Sequence, residues 1–83
     1  MKVTVKYFAS IREAIGVPGE SVATTARDLA ALRDQLIALG GAHAESLARG
    51  RSVRMALNLV MSDESALLAE AAEVAFFPPV TGG

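Results

Sequence analysis

The residues best placed to do chemistry come last in the chain: FFPPVTGG, Phe76 to Gly83. Pro78 and Pro79 restrict the backbone and make a stiff root. Val80 and Thr81 favour an extended path. Gly82 and Gly83 lack a Cβ, so they can enter a slot too narrow for other residues. Beyond Phe77, six residues span about 20 Å when fully extended. A carboxylate is expected at the tip, and it is a poor electrophile until activated. Adenylation by ATP makes AMP a leaving group. Sulfur attack then yields a thiocarboxylate, whereas a lysine amine yields an isopeptide. The competing reading is a frayed end, because termini lose order readily. A stiff root directly behind an apolar segment favours a working part.

Other chemistry is scarce. The chain has no cysteine, which excludes disulfides, thiolate metal sites and a cysteine nucleophile. Its one histidine, His43, sits between two alanines in an expected loop and reads as solvated surface. Without His/Cys clusters, no dedicated metal site is expected. No paired acid and base, activated nucleophile or phosphate loop marks an autonomous enzyme.

The net charge of −1 lacks the basic footprint of a nucleic-acid binder. The apolar runs are far short of a membrane span. The opening MKVTVKYFAS alternates polar with apolar residues, unlike a secretion signal. A cytoplasmic protein with no nucleic-acid or membrane partner is expected. All eight bases lie at or before Arg54, and Asp63, Glu64, Glu70 and Glu73 follow without one. These acids form either a solvated loop or a surface that steers docking onto a basic partner.

The elements that position the tail follow from periodicity. Val3, Val5 and Tyr7 alternate with polar residues, as in a strand with one wet face. Ser10-Ile11-Arg12-Glu13 fits a capping box opening a short helix that Gly16 and Pro18 end. Glu20 to Ala23 reads as a second strand, antiparallel to the first. Thr25 is the expected cap of the long helix, with Asp28 in its first turn. Leu29, Leu32, Leu36 and Leu39 form its apolar stripe, Arg27, Arg33 and Asp34 lie off the stripe, and Gly40-Gly41 ends the helix. Ala42 to Ser52 reads as loop with one helical turn at most. Val53 to Met61 reads as a strand that turns into another near Asn58. EVAFF, Glu73 to Phe77, is the last strand, ended by the prolines.

Hairpin, long helix and returning strands make an α+β fold of two layers. The arrangement is the β-grasp, or ubiquitin-like, fold: a mixed sheet with one face covered by one main helix. Residues 1–77 form the domain and residues 78–83 the extended tail. In strands of alternating face, Tyr7-Phe8 and Phe76-Phe77 cannot all point into one core. One of each pair must face out or lie at an edge, near the tail.

The ending EVAFFPPVTGG (Glu73 to Gly83), the opening VKYFASIREAIG (Val5 to Gly16) and the middle VRMALN (Val53 to Asn58) resemble the small-subunit family of molybdopterin synthase. These are ubiquitin-like sulfur carriers. The resemblance implies no catalysis by the chain alone and no bound cofactor. It implies that a ubiquitin-activating-like adenylating enzyme consumes ATP to activate Gly83, and that a persulfide donor leaves a 1-thioglycine there. The tail, Pro78, Pro79, Val80, Thr81 and Gly82, would thread into the large synthase subunit. In that subunit two sulfurs become the dithiolene made from cyclic pyranopterin monophosphate. It further implies a heterotetramer docked through exposed apolar residues at Phe8, Met61 and Phe77.

Two departures touch local geometry. Ala71-Ala72 replaces the family's usual Gly-Asp turn, and since alanine resists positive φ, a helical turn through Ala66 to Ala72 is expected. Leu59 stands where glutamine is frequent. Two other functions stay open, a sulfur carrier for another pathway such as thiamin thiazole formation, and a protein modifier joined to lysines.

Overall fold

The computed structural model describes residues 1–79. Five strands form one sheet: β1 (Lys2–Tyr7), β2 (Gly19–Ala23), β3 (Arg54–Leu57), β4 (Val60–Ser62) and β5 (Glu73–Phe77), in the order β2-β1-β5-β3-β4. β1 and β5 run parallel at the centre, and every other pair is antiparallel, so the sheet is mixed. Three helices accompany it: α1 (Ala9–Ile15), α2 (Leu29–Ile37) and α3 (Gly41–Leu47). The fold is the expected α+β β-grasp, with α2 the longest helix.

The period-two pattern decides which face the helices cover. Val3, Val5 and Tyr7 of β1, Met55 of β3, and Val74 and Phe76 of β5 are all buried. Against them pack Ile11 of α1, Leu29, Leu32 and Leu36 of α2, and Leu47 of α3. Each fully buried side chain of this size stabilises the fold by about 1.5–3 kcal/mol. The Tyr7 and Phe76 rings stack, with centroids 6.4 Å apart.

Several helix boundaries differ from the sequence reading. Ser10 caps nothing, and Phe8 is the N-cap of α1, with no side-chain cap bond. The strand sets this start. Phe8 N–H still donates to Phe76 O at 3.1 Å, and Ala9 turns away at φ +51. Asp28, not Thr25, caps α2, and its Oδ1 accepts Ala31 N–H at 2.8 Å. Asp28 is extended and bridged to Leu67, so the helix cannot begin before Leu29. Leu39 lies beyond the end of α2 and is exposed, while Arg33 is buried.

Gly40, at φ +78, turns the chain directly into α3, so most of the expected loop over Ala42 to Ser52 is helix. No helical turn forms through Ala66 to Ala72. Ala71 instead takes φ +64, and its N–H donates to Lys2 O at 2.9 Å.

Candidate functional site: the tail root and the uncovered sheet face

β5 lies in the middle of the sheet and ends at Phe77, immediately before Pro78-Pro79. The tail therefore leaves from the best-anchored strand, with β1 on one side and β3 on the other. Pro78 and Pro79 are half-buried. Val80, Thr81, Gly82 and Gly83, four of the residues singled out in the sequence, lie outside the described residues.

The three expected docking residues meet on the face that the helices leave open. Ala75 pairs with Lys6 and Ala56, Ala56 pairs with Met61, and Phe77 pairs with Arg54. Side chains directly paired across a sheet share a face. Phe8 continues the β1 alternation in extended conformation, which puts it on the same face beside Phe77. Phe8 is 45% exposed and Met61 56%, while Phe77 is half-buried. Their neighbours Tyr7 and Phe76 fill the core. Each aromatic pair is thus split, one ring holding the fold and one facing out.

Each of the acids after Arg54 has a partner within the fold. Asp63 accepts Ser65 N–H at 2.9 Å, and Ser65 also donates its hydroxyl to it. Glu64 accepts from Arg33 at 2.9 Å and from Arg49. Its carboxyl is held below the ordinary range, first by the Arg49 bond, with Arg33 adding to it. Glu70 accepts Lys2 N–H at 2.6 Å, and Glu73 pairs with Lys6 at 3.2 Å. Beside the tail root stand Lys6, already paired, and Arg54, which has no ion pair among the described residues. These carboxylates thus take part in the fold, while Asp63 and Glu70 stay exposed.

Two polar clusters escaped the sequence reading. Arg33 donates to Leu47 O at 2.7 Å, Ala48 O at 2.8 Å and Arg51 O at 3.2 Å, besides Glu64. It holds the end of α3 and the following loop against α2. Its spacing from Leu29 and Leu36 already places it on the buried stripe. His43 lies in α3, not in a loop. Its Nε2 is 2.8 Å from Glu20 Oε2, and its ring stands edge-on to Tyr7. The same Glu20 oxygen accepts the Tyr7 hydroxyl at 2.6 Å. No spacing within the sequence marks that trio, because each member comes from a different element.

Among the described residues, no group of three or more His, Cys, Asp or Glu could hold a metal ion. No helix among them is long and apolar enough to cross a membrane.

The comparisons agree with this geometry. The ThiS family matches residues 5–83, through the whole tail. The molybdopterin synthase sulfur carrier subunit of Escherichia coli (strain K12) is 36% identical over 81 residues, covering 98% of this chain and 99% of that protein. The solved complex of subunits 1 and 2 of molybdopterin-converting factor from Helicobacter pylori 26695 contains a chain of similar fold. Its TM-score is 0.70 at 28% identity, and all of both chains is covered. SAMP1 from Haloferax volcanii shares the fold with a TM-score of 0.80 at 23% identity, again over all of both chains. A tail matched to its last residue, on a β-grasp body with the expected docking face uncovered, places this chain in the ThiS family, with the molybdopterin synthase sulfur carrier subunits.

Proposed function

We propose that this chain carries sulfur for molybdenum cofactor biosynthesis as the small subunit of a molybdopterin synthase, with Gly83 as its working end. The Gly83 carboxylate attacks the α-phosphorus of ATP on an adenylating enzyme and releases pyrophosphate. The terminal sulfur of a donor persulfide then displaces AMP. Cleavage of the sulfur–sulfur bond by a thiol leaves the thiocarboxylate, a 1-thioglycine. The tail delivers that sulfur inside the large subunit, where it passes to cyclic pyranopterin monophosphate and the carboxylate returns. The chain's own part is to present the tail and to dock. The chemistry belongs to cytoplasmic partners that hold ATP and persulfide.

One observation carries the reading. The segment EVAFFPPVTGG begins as the central strand β5, and the exposed Phe8 and Met61 share the open face with the half-buried Phe77 that ends that strand. A binding face and a tail that share one rigid mount can be gripped and threaded together. Full-length similarity to a named sulfur carrier subunit supports the same conclusion.

The test is the intact mass of the protein before and after incubation with the adenylating enzyme, ATP and a sulfur donor. The expected result is a gain equal to one oxygen exchanged for sulfur, located on Gly83. An unchanged mass, with an enzyme active on a known carrier, would sink the proposal. Adducts joining Gly83 to lysines of many proteins would point to a modifier instead.

A further inference from the structure

Leu59 sits at the tip of the β3–β4 hairpin at φ +69, directly after Asn58 at φ +49. A two-residue turn with positive φ at both positions is the hairpin type that selects Asn-Gly. Asn58 suits it. Leucine does not, because its Cβ crowds the backbone in the left-handed region. The side chain gains nothing inside the fold in return. At 86% Leu59 is the most exposed large hydrophobic residue described. The turn is also clamped. Asn58 N–H donates to Glu73 O at 2.8 Å, and Glu73 N–H donates to Asn58 Oδ1 at 2.9 Å. The tip is thus tied to β5, the strand that carries the tail. Folding alone does not explain a strained, solvent-facing leucine on a rigid mount.

We propose that Leu59 is a second anchor, additional to Phe8, Phe77 and Met61, that enters an apolar socket on the large synthase subunit and fixes the angle at which the tail enters. This rests on the sulfur-carrier reading above. The occupant follows from continuity. The uncovered face runs from Phe8 and Phe77 through Ala75 and Ala56 to Met61, and Leu59 lies just past it. β3 runs antiparallel to β5, so the hairpin tip lies at the end of the sheet away from the tail root. The separation is on the order of 15 Å along the strands and two strands across. That span fits within one partner footprint of about 800 Å². A threaded tail fixes one point, and a contact at the far end fixes direction, which one attachment cannot do.

Calorimetric titration of the large subunit from the same source, with wild-type carrier, Leu59→Gly and Leu59→Met, tests this beside thermal unfolding of each carrier. Leu59→Gly is expected to raise Kd on the order of tenfold, while Tm stays level or rises because glycine relieves the turn. Leu59→Met keeps the apolar contact and binds close to wild type. An unchanged Kd for Leu59→Gly overturns the anchor and leaves the sulfur-carrier reading intact. A clear fall in Tm for that variant also overturns it, by giving the leucine a folding role. A dimer of the free carrier that Leu59→Gly dissociates assigns the tip to self-association instead. Failure of wild type to bind the large subunit at all overturns both the anchor and the reading beneath it.

Discussion

The Tyr7 hydroxyl donates to Glu20 Oε2 at 2.6 Å, joining the buried end of β1 to the edge strand β2. Burial first, then the Glu20 bond and charge, push the phenol far above its ordinary value. Tyr7 is the only tyrosine, so its titration can be read without interference. The folded state holds the phenolic proton more tightly than the unfolded chain. That stabilisation is complete below about pH 10 and is lost as pH rises beyond it. The phenolate absorbance is expected to appear together with the loss of far-UV circular dichroism, and a phenolate signal that precedes unfolding would contradict this. Tyr7→Phe removes the hydrogen bond and costs about 1 kcal/mol.

Arg33 is 5% exposed and bonds three backbone carbonyls as well as Glu64. Arg33→Met strands those acceptors and is expected to cost about 3 kcal/mol in urea unfolding. Arg33→Lys recovers little, because an ammonium cannot span the same fork of acceptors. A loss below about 1 kcal/mol would show that water replaces the guanidinium freely.

Glu64 and Glu20 set the acid limit. Both carboxyls sit below their ordinary value of 4.5, Glu64 foremost through Arg49 and Glu20 foremost through His43. For a depressed carboxyl the stabilisation is fully present above the unfolded value and is lost as pH falls through the folded one. Urea midpoints should therefore hold from neutral pH down to about 4.5 and decline below it. Glu64→Gln should lower the midpoint at pH 7 and make the decline shallower. An equally steep decline in that variant would remove Glu64 from the account.

The two aromatic pairs predict opposite phenotypes. Phe76→Ala empties a fully buried site and should cost about 3–5 kcal/mol of stability. Phe8→Ala and Met61→Ala should leave Tm nearly unchanged and weaken binding of the large subunit by roughly tenfold each. Chemical denaturation beside calorimetric binding separates the two classes. Equal binding by all the docking variants would remove the uncovered face as the docking surface.

Ala71 at φ +64 carries backbone strain that glycine would relieve. The greater entropy of glycine in the unfolded chain offsets part of the gain, leaving a net stabilisation of about 0.5 kcal/mol or a little more for Ala71→Gly. A lower urea midpoint would mean that the alanine methyl is needed where it stands.

The sequence alone determined the two-layer β-grasp body and the limits of β5. Alternation and the proline pair are local signals, and local signals survive in a linear reading. It also showed that Tyr7-Phe8 and Phe76-Phe77 must split between core and surface, because adjacent strand residues point to opposite faces. Only the tertiary structure decided which member faces out, since that depends on where the helices pack. Only it placed the cap of α2 at Asp28, because the bridge to Leu67 comes from distant sequence. It alone made α3 a helix and drew His43 to Glu20, and it gave Arg33 and Glu64 to each other across 31 residues. It held Ala71 and Asn58 at positive φ through hydrogen bonds to strand residues that local propensity cannot see, and Leu59 follows Asn58 in the same turn. Polar partners found only after folding, and strain tolerated because neighbours enforce it, are properties of contact and not of spacing.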